Sequence, residues 1–417
     1  MKGIIRFVAI AVTVAFAAAA CSSDDEPAAG GGADGKAQLV FWDNQQSESG
    51  LSEFQQTAVE EFEAANPDID VKVETIPYDQ YQQRLQLAVE GGDPPDISTV
   101  DQIWNPAFGA GGAVVALDDY IAGSDSVSED NFFPGAWDSA LYEDQVFGIP
   151  FNVDVWQFTY YNQQLLNDAG VDPQSLTTWD GLMDAAQRMT KGDQFGVGLF
   201  GQQYESIVVV VDSFIYSNGG SVLNEDGSCA LDEPEAVEAL TYLQDLQQYA
   251  PPGILNSTNE DMRELFLNGS LGLEWWPALE QPTLQDSQLN WGFVAGTAPD
   301  GGEPVGTYGG WNLVIYEDSP NKDAAWKFIE FLTDPEVNGR VVDLIPANTD
   351  AAEIFLQDNR EKPDVIMEHL ERARPRPLSP QYLELSTIQQ QMTQTIFDGG
   401  SVEDATAQAC SDIEALG

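Results

Sequence analysis

Histidine is almost missing from this chain of 417 residues, and cysteine is nearly as scarce: His369 stands alone, beside Cys21, Cys229 and Cys410. A zinc centre draws three or four ligands from such residues, and a serine or cysteine hydrolase needs an imidazole beside its nucleophile. The material for either chemistry is absent, so no metal and no cofactor is expected. His369 lies among helix formers and reads as an ordinary surface residue. Cations are also few, 16 Lys and Arg against 69 Asp and Glu, for a formal net charge of −53. Phosphate backbones are gripped by basic surfaces, which excludes nucleic acid as a partner. The apolar run from Phe7 to Ala20 has 14 residues, short of the roughly 20 that a membrane-spanning helix requires. Glycines at phosphate-loop spacing and internal repeats are missing as well.

That short run has a meaning of its own. Lys2 and Arg6 flank it at the front and Ala17 to Ala20 close it, giving residues 1–20 the three regions of an export signal. Cys21 follows at once, an order that resembles a bacterial lipobox, in which the cysteine is acylated and becomes the new N-terminus. Residues 21–36, from Cys21 through Ser22, Ser23 and a glycine-rich stretch, offer nothing to bury and read as a flexible tether. The expected location is the outer face of the cytoplasmic membrane, anchored through Cys21. About 380 residues remain beyond the tether, more than one hydrophobic core organises, so two lobes are expected. Cys229 and Cys410 are free to pair in an oxidising compartment, but sequence does not show whether they are adjacent, and the pairing stays open.

Gln38 to Trp42 is a short apolar segment, followed by Leu51, Phe54, Ala58, Phe62 and Ala65 at helical spacing up to Asn66-Pro67. Ile69, Val71 and Val73 then alternate with polar residues, and Tyr81, Leu85, Ala88 and Val89 form a second helical face closed by Gly91-Gly92. Asp96 to Val100 is a third strand, and Trp156 to Tyr161 a later one. Strands alternating with helices predict parallel βαβ units, hence an α/β fold. Ligands in such sheets bind beyond the carboxyl ends of the strands, where Asp43, Asn44 and Asp101 fall; each can equally cap the helix that follows.

Longer stretches point further. Phe54 to Ile97 contains a helix ending in Glu-Phe-Glu, then Asn-Pro-Asp-Ile and Gly-Gly-Asp-Pro-Pro-Asp-Ile. Tyr160-Tyr161-Asn162 precedes Thr178-Trp179-Asp180, Gly309-Gly310-Trp311-Asn312-Leu313 leads to Ser319-Pro320-Asn321-Lys322-Asp323, and Arg376-Pro377-Leu378-Ser379-Pro380-Gln381-Tyr382 comes near the end. Together these are similar to the extracellular solute-binding proteins of sugar ABC transporters, most of all the trehalose/maltose and α-glucoside binders. The resemblance implies a two-lobed periplasmic-binding-protein fold with a ligand cleft between discontinuous lobes. One lobe would hold 37–150 and about 300–345, the other 151–299 and about 346–417, with hinge crossings near 148–152, 296–309 and 344–347. It also implies a monomer that delivers its sugar to permease subunits and performs no catalysis.

A pyranose has apolar faces and a rim of hydroxyls, so its site stacks aromatic rings and aims carboxylates, amides and guanidinium groups at the rim. Carried over from the resemblance, Trp311 with Gly309 and Gly310 forms a sugar platform, and Trp276, or Trp275 in its place, a second. Asp101 and Asp154 accept hydroxyls, Arg376 donates from the other lobe, and Glu48 belongs to the first loop. Asn152 stands where the family often has an aromatic residue. Trp326 and Trp42 read as core. Two rivals share some of these features. A glycoside hydrolase also pairs aromatic platforms with two carboxylates, and a binder of polyamines or other small solutes keeps the fold and changes the ligand.

Acidity this general is better explained by solvent than by ligand, since concentrated salt screens repulsion among carboxylates. Resistance to heat or denaturant is therefore expected to rise from low to molar salt. A flat profile would assign the acidity another origin.

Overall fold

The computed structural model describes residues 35–45, 53–342 and 344–416. The export signal, Cys21, most of the tether and Glu48 lie outside the described residues.

Strands β1 (Ala37–Gln45), β2 (Ile69–Pro77) and β3 (Ile97–Asp101) alternate with helices Glu53–Ala65 and Tyr78–Gly91, as the apolar spacing predicts. The second helix stops because Gly92 adopts a left-handed conformation, φ 70°, and its N–H returns to the carbonyl of Ala88. A tight hairpin, β4 (Leu141–Tyr142) and β5 (Gln145–Val146), precedes β6 (Ile149–Val155), in which every residue is buried. Then come β7 (Phe158–Asn162), β8 (Phe195–Val197), β9 (Leu271–Trp276), β10 (Trp291–Val294), β11 (Tyr308–Ile315) and β12 (Ile345–Pro346). They form a six-stranded sheet in the order β12-β6-β11-β3-β1-β2 and a four-stranded sheet in the order β10-β7-β9-β8. β1, β2 and β3 pair in parallel, but β11 runs antiparallel to both β3 and β6. The large sheet is therefore mixed.

Two motifs more than two hundred residues apart meet at the sheet's lower end. Asp96 accepts bonds from the Val40 backbone N–H at 2.7 Å, from Ser319 Oγ at 2.6 Å and from Asn321 Nδ2 at 3.1 Å. These bonds give the Asp-Pro-Pro-Asp and Ser-Pro-Asn segments a structural task. Above them Phe41, Phe62 and Phe328 pack edge to face, with Phe62 and Phe328 centroids 4.8 Å apart. Trp326 is buried beside Tyr120, as expected, whereas Trp42 is only partly buried and lies under the Arg84 guanidinium at 4.8 Å.

The crossings between sheets differ in part from the expected divides. β6 stays in the large sheet through Val155, pairing with β11 and β12, so the chain passes to the small sheet at residues 156–157 rather than 148–152. It returns between β10 and β11, at residues 295–307, where 296–309 was expected. Ile345 pairs with Val153, which makes the 344–347 segment an edge of the large sheet. Helices Thr349–Asn359 and Pro363–Arg372 pack on that side, and the third crossing comes at 373–381, where Tyr308 N–H bonds the Arg374 carbonyl at 2.9 Å. Helices Tyr382–Phe397 and Val402–Glu414 then pack on Glu205–Ser217 and Pro234–Leu246 in the small lobe.

His369 corrects its surface assignment. It is fully buried and its Nε2 donates to the carbonyl of Trp156 at 3.1 Å, so it rests on the first crossing. A Cβ on Gly306, in the second crossing, would lie 2.6 Å from the same nitrogen, so only glycine fits. Burial pushes the imidazole down to about 4, which keeps it neutral near pH 7.

Cys229 and Cys410 are joined, with Cα atoms 5.2 Å apart and a sequence separation of 181. A bridge closing so long a loop restricts the unfolded chain strongly. Replacing both cysteines by serine is expected to remove about 2 to 5 kcal/mol of stability, read as a lower denaturant midpoint. An unchanged midpoint would mean the bridge constrains nothing.

Candidate ligand-binding site

The carboxyl ends of β1 and β3 come together through Thr99. Its hydroxyl lies 3.0 Å from Asn44 Oδ1 and 3.5 Å from Asp43 Oδ1, and it accepts the Asn44 backbone N–H at 3.1 Å. Asp43, Asn44 and Asp101 are all buried. Asp101 also accepts the Ile103 N–H at 3.3 Å, so it caps the turn Gln102–Trp104 while facing the cleft. The capping reading holds there.

β11 supplies the floor. Its antiparallel register sets Trp311 opposite Asp101 on one side and opposite Asn152 on the other, with Gly310 opposite Val153 and Gly309 opposite Asp154. The Trp311 ring meets Trp104 edge to face at 5.8 Å and Tyr81 at 5.9 Å. Tyr81 is fixed in turn by its hydroxyl, which donates to the Thr99 carbonyl at 2.6 Å. Gly310 has φ 139°, and a Cβ there would fall 2.3 Å from the Asn152 carbonyl oxygen. Next to it, a Cβ on Gly309 would meet no heavy atom within 4 Å. One glycine lets strands close and the other borders open space.

Arg376, on the third crossing, joins the lobes. Its Nη2 donates to Asp101 Oδ1 at 2.9 Å and its Nη1 to Glu205 Oε1 at 2.9 Å. Glu205 opens the helix Glu205–Ser217 of the small lobe and also accepts bonds from the Tyr382 hydroxyl and, at 2.7 Å, from Ser386 Oγ. Burial raises the Asp101 carboxyl above its ordinary value, and Arg376 opposes that rise. The guanidinium is held well above its usual value by Asp101, Tyr382 and Glu205, against its own burial. The arrangement can hold charge in a dry place and present hydrogen bonds.

Asp43, Asn44, Asp101, Gly309, Gly310, Trp311 and Arg376 are thus brought together, and three expected residues are not. Trp275 is buried edge to face against Phe214 at 5.0 Å, and Trp276 is fully buried with Nε1 donating to Asn259 at 2.8 Å. Both fill the small lobe's own layers, because successive residues of β9 face opposite sides of the sheet. Asp154 spends its oxygens on the Val155 N–H at 2.8 Å and the Leu279 N–H at 3.1 Å, holding the turn after β9 against β6. Burial pushes this carboxyl up to about 7 despite those bonds. Sequence reasoning missed Gln102, Glu205, Tyr382 and Ser386. Gln102 had a signal in standing next to a strand-end acid, and Tyr382 in closing the motif that begins at Arg376.

Residues 44–339 match the model of a family described as bacterial extracellular solute-binding protein. A putative binding protein of Brucella abortus (strain 2308) is 27% identical over 353 residues, covering 82% of this chain and 84% of its own. The maltotriose-binding protein of Pyrococcus abyssi (strain GE5 / Orsay) is 26% identical over 313 residues, 73% of this chain and 64% of its own. An ABC transporter solute-binding protein from Thermotoga lettingae TMO, solved with alpha-D-tagatose, superposes with a TM-score of 0.76 at 25% identity, over 91% of this chain and 100% of its own.

Asp212 lies two turns along the helix from Glu205, fully buried, with Oδ1 accepting from Gln389 Nε2 at 2.7 Å. Burial raises its carboxyl to about 8, the Gln389 bond opposes the rise, and the Glu205 charge adds to it. The folded state therefore holds a proton that the unfolded chain releases near pH 4. This contribution is fully present below about pH 4 and is lost as pH climbs through about 8. Asp212→Asn keeps the shape without the titration. Its stability is expected to fall less than the wild type's between pH 4 and 8 in denaturant titrations; an equal fall would exonerate Asp212.

Proposed function

Since the chain belongs to the bacterial extracellular solute-binding protein family, whose members bind solutes rather than convert them, we propose that it captures a di- or oligosaccharide of the α-glucoside type. The two lobes close on the sugar, and the closed form is recognised by the permease subunits of an ABC importer. The signal-like order of residues 1–20 and the resemblance of the segment ending at Cys21 to a lipobox support export and anchoring through Cys21. Among the described residues, no helix is long and apolar enough to cross a membrane.

One observation carries the choice of ligand. Asn44 Nδ2, both Nε2 and Oε1 of Gln102, Asn152 Oδ1 and Arg376 Nε are buried without a protein partner. Gln102 Nε2 would lie 3.0 Å from a Cβ on Gly310, Asn152 faces Trp311 across the β6–β11 pair, Arg376 holds Asp101, and Asn44 meets Thr99 near the end of β3. Three of these atoms donate and two accept. A polyamine supplies donors alone and a phosphate chiefly acceptors, whereas a hydroxyl both donates and accepts. Trp311 and Trp104 beside them suit the apolar face of a pyranose.

Maltose, trehalose and longer glucosides are expected to raise the melting temperature in a screen that also holds spermidine and glycerol phosphate. Asp101→Ala or Arg376→Ala should weaken the sugar's dissociation constant at least about tenfold by calorimetry, the scale of a lost hydrogen bond to a charged group. A shift with spermidine or glycerol phosphate alone would overturn the sugar reading, and release of glucose would favour a hydrolase.

A further inference from the structure

Glu205 has the opposite profile from the unpartnered atoms around it. Its Oε1 accepts from Arg376 Nη1 and from the Tyr382 hydroxyl, and its Oε2 from Ser386 Oγ at 2.7 Å, which is itself bonded by Gln390 Nε2 at 2.9 Å. Both oxygens are committed to the protein. Arg376 is committed at both terminal nitrogens, to Glu205 and to Asp101, while its Nε is buried without a protein partner. A guanidinium is a rigid planar fork, so fixing its two terminal nitrogens also fixes the direction of the third N–H.

We propose that Glu205 is a positioning residue that acts through Arg376. It holds the guanidinium plane so that one side chain ties the large-sheet carboxylate of Asp101 to the small lobe and leaves Nε–H for a solute oxygen. This rests on the reading of the cleft as a solute site, but the bond across the lobes exists without solute. Glu205 stands at the N-terminus of its helix, where a carboxylate is favoured by the unpaired N–H groups. That bland role would make Glu205 matter to the helix whatever residue 376 is, so the two roles part in a double-mutant cycle.

The cycle compares wild type, Glu205→Gln, Arg376→Met and the double variant. It is read by calorimetry with maltose and, without sugar, by the distance between spin labels placed one on each lobe. With Arg376 present, Glu205→Gln is expected to raise the maltose dissociation constant about tenfold and to enlarge the open population. In the Arg376→Met background it should change neither. Ser386→Ala, a smaller change on the far side of the carboxylate, should move both readouts the same way, by roughly fivefold in affinity. Equal effects of Glu205→Gln in both backgrounds, or no effect in either, would overturn the proposal. If wild type binds no sugar at all, the sugar reading falls while the label distances still decide whether Glu205 works through Arg376.

Discussion

The insertion of β11 between β3 and β6 is the constraint on which the cleft depends. A strand paired on both edges has almost no freedom to slide, because a shift of one residue would turn every side chain to the other face. That lock sets Trp311 beside Asp101 and Asn152, and Gly309 beside Asp154. It holds only because Gly310 carries no side chain where the Asn152 carbonyl approaches. The strand is reached from the small lobe through residues 295–307, so the element that orders the centre of the large sheet is also one of its connections to the other lobe.

Much of this was legible in the sequence where the signal was local. Alternation in Ile69 to Val73 and helical spacing from Phe54 to Ala65 foretold β2 and its preceding helix, and the Gly-Gly-Trp segment falls in β11 beside Asp101 and Asn152. Signals that depend on distant partners were not legible. Trp275 and Trp276 look alike whether they meet a sugar or Phe214 and Phe266, and only the packing on either face of β9 separates these cases. Glu205 is one acid among 69, and its partner Arg376 stands 171 residues away. The first crossing was misplaced because nothing local in β6, where Asn152 and Asp154 alternate with apolar residues, shows that pairing with β11 and β12 keeps it in the large sheet through Val155.

Charge is distributed with a sharp contrast between surface and cleft. The chain owns 16 cations, yet it sets one of them, Arg376, in a buried place between two carboxylates. Isolated burial of that guanidinium would be costly, and the pair of acids offsets much of the cost. At the hinge the opposite solution appears: His369 supports the crossings as a neutral ring.

The bridge between Cys229 and Cys410, together with the three passages between sheets, governs the order in which the molecule can be assembled. The large sheet lacks its central strand until residue 315 and its edge until residue 346, and the small lobe waits for helices that end at residue 414. Each half is thus closed by a piece made long after its first elements.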